Sequence, residues 1–164
     1  MGVKNVEVQR FSLISTRSFD EVIRTLEASI GRPDTRAFGQ QVATVRTPGE
    51  LERAVHEAVG AADLMEFIRF DIGQVLRLYQ GAQARRSLRL VVGNPLIMRQ
   101  MAEHVSDAAS YAPVTLLIDE RTDGVHLSYD RMASVLADSG SREAIKVSQD
   151  LDAKIEKLLT EACG

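Results

Sequence analysis

The sequence predicts a single α+β domain over residues 1–164: an antiparallel sheet covered by helices, in the order β-α-(α)-β-β-α-β-β-α. Three observations carry this. Asp123-Gly124 sits between two apolar runs, which is the strongest local signal for a β-hairpin. Ser18-Phe19-Asp20-Glu21 and Thr47-Pro48-Gly49-Glu50 are capping boxes, in which the hydroxyl accepts from the N3 amide and the glutamate reaches back. Ala144, Val147, Leu151, Ile155, Leu158 and Leu159 recur at steps of three and four, as the buried stripe of a helix does.

Along the chain, residues 6–15 read as a first strand. Phe11 and Leu13 fall out of phase with Val6, Val8 and Ile14, which suggests a bulge or an exposed edge. The helix opened by Ser18 carries Phe19, Val22, Ile23, Leu26 and Ile30 on one side, and Gly31 with Pro33 ends it. Residues 32–46 show little periodicity and read as a loop with a short strand at 41–45. Thr47 opens a short helix that buries Leu51, Ala54, Val55 and Ala58. Strands follow at 64–72 and 88–92, joined by a solvated loop over 74–87. Gly93-Asn94-Pro95 then breaks the strand and starts a helix with Ile97, Met98, Met101, Ala102 and Val105 on its apolar side. Pro113 leads into a strand over 114–120. A loop of Asp123 and Gly124 sets Ile118 opposite Tyr129 and Glu120 opposite Leu127. Leu116, Ile118, Leu127 and Tyr129 share the core face, and Asp119, Arg121, His126 and Ser128 share the wet one. The final helix, 142–162, packs on the sheet with Asp150, Asp152, Lys154 and Glu156 on its outer side.

Composition narrows the function classes. The apolar share of 45% and charged share of 26% are those of a globular chain. A net charge of −3 and a pI near 5.6 argue against a phosphate-tracking surface, and without Trp no base-stacking platform is expected. Nucleic acid is therefore not expected as a partner, although Arg85, Arg86, Arg89 and Arg99 are present. No apolar run reaches the length of a membrane span, and Lys4, Glu7 and Arg10 interrupt the N-terminal stretch where a signal peptide would be uninterrupted. Val6 stands where a myristoylation signal needs Ser or Thr. The one cysteine, Cys163, cannot form a disulfide within the chain. A cytoplasmic address is the expectation, with no membrane partner.

Phe70-Asp71-Ile72-Gly73, Val92-Gly93-Asn94-Pro95, Ala112-Pro113-Val114, Asp123-Gly124-Val125 and Ser128-Tyr129 occur in an order that resembles a bacterial family, domain of unknown function 302. The resemblance is close over residues 64–132. Ile72 stands where many relatives have His, which puts any activity of that His in doubt here. The resemblance implies a compact α+β domain similar in outline to TATA-binding-protein-like folds, and a homodimer. It implies no established chemistry.

Neither a nucleophile elbow nor a phosphate-cradling glycine loop occurs. His56, His104, His126, Asp71 and Cys163 are possible metal ligands, but they lack the local spacing of a zinc site, so no metal and no cofactor are expected. Glu103, His104 and Asp107 read as a solvated helix face. A polar cleft is the remaining candidate: Asp71 beside Gly73, Asn94 at the end of the neighbouring strand, and His126 or Tyr129 nearby could hold a small polar ligand. The competing reading makes Asp71 an acceptor of turn amides, Asn94 a helix cap and Tyr129 a core residue. The first functional expectation is a non-catalytic, homodimeric binding or interaction module. The alternative is a ligand sensor or enzyme built on the cleft near Asp71 and Asn94.

Overall fold

The computed structural model describes residues 2–164. Five strands form one antiparallel sheet in the order β1-β5-β4-β3-β2: β1 Arg10–Ser15, β2 Met65–Asp71, β3 Ser87–Gly93, β4 Val114–Arg121 and β5 Gly124–Asp130. β2 to β5 are laid down in sequence order, and β1 closes the far edge against β5. The helices are α1 Phe19–Ser29, α2 Thr35–Thr44, α3 Pro48–Ala58, α4 Ile72–Gln80, α5 Pro95–Ala102, α6 Met132–Val135 and α7 Arg142–Cys163.

Both capping boxes are formed. α7 buries Ala144, Leu151, Ile155, Leu158 and Leu159, as its stripe predicts, against α1, α5, α6 and the sheet. Leu88, Leu90, Val92, Leu116, Ile118, Leu127 and Tyr129 complete one core beneath these helices. A sheet whose strands alternate apolar and polar residues buries one face and leaves the other to solvent. Among the described residues the second face is left to solvent: Arg10, Ser12, Ile14, Ile68, Phe70, Arg89 and Thr115 on it are all exposed.

Several local expectations are corrected. The turn is Thr122-Asp123, with Gly124 at φ 139°, so Ile118 pairs with Leu127 and Leu116 with Tyr129. This is a two-residue shift of the expected register, which leaves every side chain on its expected face. Residues 41–45 are not a strand; they fall at the end of α2, which buries no residue and so lacks the apolar stripe that would reveal it. The connection after β2 is not all loop, since Asp71 caps α4 directly. β1 is shorter than expected; it is an exposed edge strand, with Phe11 and Leu13 packed against the core while Ile14 faces solvent. Asp152 does not lie on the outer side of α7. It is only 2% exposed and points into the core.

Candidate functional site

The β2–β3 register decides the fate of the expected cleft. Asp71 pairs with Leu88 at one end of β3, whereas Asn94 follows Gly93 at the other. Six residues of strand separate the two levels, roughly 20 Å. His126 lies near the Asp71 end, paired with Asp119 on the open face, and Tyr129 points to the opposite face. The structure therefore does not bring Asp71, Asn94, His126 and Tyr129 around one cavity.

Each residue has a local partner. Asp71 accepts from the Gln74 amide at 2.7 Å and pairs with Arg77 at 3.3 Å. Gly73 lets the first turn of α4 approach β3: a Cβ there would sit 2.9 Å from the Ser87 nitrogen. Asn94 accepts from the Leu96 amide at 2.8 Å and donates to the carbonyl and carboxylate of Asp63 at 3.1 and 2.9 Å. His126 Nε2 lies 2.8 Å from Asp123 Oδ1, and that contact holds the Asp123 carboxyl below its usual range. Tyr129 donates to Asp152 at 2.5 Å. Burial, and then this hydrogen bond, push the phenol well above its ordinary value, so it remains a donor and not a base.

Sequence reasoning missed two constellations. Asp152 accepts from the Tyr129 hydroxyl and from the amides of Met132 and Ala133 at 2.7 and 3.0 Å, tying α7 to the start of α6. An acidic residue nearly three turns into an amphipathic helix reads as surface, and only the fold shows its donors. The second is the open sheet face, where a groove of about 560 Å³ is bordered by Arg89, Val91, Tyr111, Thr115, Leu117 and Asp130. Most guanidinium groups on this face are matched by acids: Arg10 by Asp130 at 2.6 Å, and Arg85 and Arg121 by Asp119 at 3.1 and 2.8 Å. Arg89 contacts only Thr115 Oγ1, at 3.4 Å, and has no acidic partner among the described residues. Ile14, Ile68 and Phe70 on the same face are about half exposed, at 52%, 48% and 56%.

Among the described residues no group of three or more His, Cys, Asp or Glu side chains is placed to hold a metal ion. Nor is any helix among them long and apolar enough to cross a membrane.

No curated protein matches the chain. A similar solved structure is that of an uncharacterized conserved DUF302 protein from Bacillus stearothermophilus. It shares 10% identity, with a TM-score of 0.64 over 94% of this chain and 98% of the other. At that identity the likeness speaks to the fold. The family model described as "Domain of unknown function DUF302" matches residues 40–162, three quarters of the chain, and the protein belongs to that family.

Proposed function

We propose that this protein is a binding module without catalytic machinery, working through the open face of its sheet, and that a second copy of the chain occupies that face. The unmatched Arg89, set among half-exposed apolar side chains, is the observation that carries the reading. β4 is the middle strand. A two-fold axis running along β4 stacks β3 on the partner's β5 and β2 on the partner's β1. Arg89 then faces the level of Ser128, one step from the Asp130 carboxylate, and Phe70 approaches Ile14. An axis across the strands would instead set Arg89 against its own copy, a like-charge contact that opposes pairing. Five strands by seven residues cover on the order of 500 Å², to which side-chain relief adds; a standard interface takes about 800 Å² per partner. A cytoplasmic address belongs to the same reading, supported by the unpaired thiol of Cys163.

Sedimentation at micromolar concentration tests it. The expected mass is twice 18.1 kDa. Arg89→Asp should weaken the dimer, and adding Asp130→Arg should restore it by swapping the charges. A monomeric wild type, or a dimer indifferent to Arg89, would refute the proposal.

A further inference from the structure

A second concavity lies at the end of the sheet where β3 runs into α5. Its volume is about 100 Å³. Met101, Val114 and Leu151 form a buried floor, while Phe67, Ile97 and Met98 form a partly accessible rim. Asn94 is the one polar side chain in the lining, and its amide is already engaged with Leu96 and Asp63. A site so lined offers water no adequate set of partners, and cavities of this kind stay dry and take apolar guests.

We infer that this niche binds a small, uncharged apolar molecule or group about the size of a phenyl ring or a short branched alkyl chain. Three features fit. The volume approaches that of cavities known to take benzene, on the order of 150 Å³. Two methionines line it, and their flexible thioethers adapt to irregular guests and favour contact with aromatic rings. The mouth is open, which distinguishes it from a packing defect sealed in the core. A protein partner fits less well, because Pro113 is the one exposed side chain in the lining, too little apolar surface to extend a contact around the mouth. The niche adjoins the groove of the proposed dimer face and shares Pro113 and Val114 with it, but its floor of Met101 and Leu151 belongs to the niche alone, and the inference does not rest on the dimer.

The test uses the full chain labelled at its methionine methyl groups and titrated with benzene. Of the five methionines, Met98 and Met101 line the niche, Met65 stands beside it opposite Gly93, and Met132 is buried elsewhere and serves as the internal control. The Met98 and Met101 signals should shift saturably and the Met132 signal should stay in place. Met98→Trp fills the mouth and should abolish the Met101 response. Phenol should bind more weakly than benzene, since Asn94, the one polar side chain of the niche, is already engaged. The inference is overturned if no methyl responds up to the solubility of benzene, if all the methyls move together, or if phenol binds as well. Should Met98→Trp fail to fold, the residue-resolved wild-type titration decides.

Discussion

Replacing Asp152 by alanine removes an acceptor shared by three donors: the Tyr129 hydroxyl at 2.5 Å and the Met132 and Ala133 amides at 2.7 and 3.0 Å. A buried donor left without a partner costs about 1–3 kcal/mol. The Met132 amide keeps a second acceptor, since the Tyr129 oxygen lies 3.1 Å away. The Ala133 amide is only partly buried and can recover water. The tyrosine hydroxyl bears the largest loss, and the total comes to about 3–4 kcal/mol, within the range for breaking buried charged networks. At an unfolding entropy of about 2.1 cal/mol/K per residue, this lowers Tm by roughly 10 °C. Urea titration and differential scanning calorimetry measure it directly. Tyr129→Phe removes one donor and leaves the carboxylate its two amides, for about 1–2 kcal/mol. Because both changes break the same hydrogen bond, the double variant should lose less than the sum. An Asp152→Ala cost below about 1 kcal/mol, or strict additivity with Tyr129→Phe, would refute the claim that this carboxylate anchors α7 to α6.

Two further outcomes follow from the contacts. Asn94→Ala removes the cap of α5 and its link to Asp63, and should cost about 1–2 kcal/mol in chemical denaturation; a neutral result would mean the cap is replaceable. The Asp130 carboxyl is held below its usual range by the hydrogen bond from Arg10, so its contribution is present above the unfolded value and disappears as pH falls through the folded one. Arg10→Ala should raise the Asp130 midpoint in an NMR titration yet change stability by less than about 1 kcal/mol, because solvent screens so exposed a pair.

The sequence was legible wherever burial or capping imposes a pattern. Ser18 with Glu21 and Thr47 with Glu50 mark two helix starts, and the stripe of α7 identifies its buried side. α2 and α4 escaped because their stability does not come from a broad buried face: α2 buries nothing, and α4 buries only Gly73 while Val75, Leu78 and Tyr79 are exposed. The candidate cleft failed for a different reason. Proximity of Asp71 and Asn94 requires two neighbouring strands to end on the same side, but consecutive antiparallel strands end on opposite sides. Asp71, the last residue of β2, and Asn94, the first after β3, are thereby driven apart. Asp152 was misplaced because helical periodicity places a residue on an arc, and only tertiary contacts reveal that an edge of that arc meets Tyr129.

β1 and α7 are held to each other: Ser15 Oγ donates to the Cys163 carbonyl at 2.6 Å, and Arg17 reaches the Glu161 carbonyl at 3.1 Å. β1 also pairs along its length with β5. The β2 to β5 meander can assemble from neighbouring segments, but β1 must wait more than a hundred residues for its partners, and loop closure of that length makes non-local pairing slow. On the ribosome, β1 is thus made before every strand it belongs with: it stays unpaired until β5 has emerged, and the sheet stays without its longest covering helix until α7 follows.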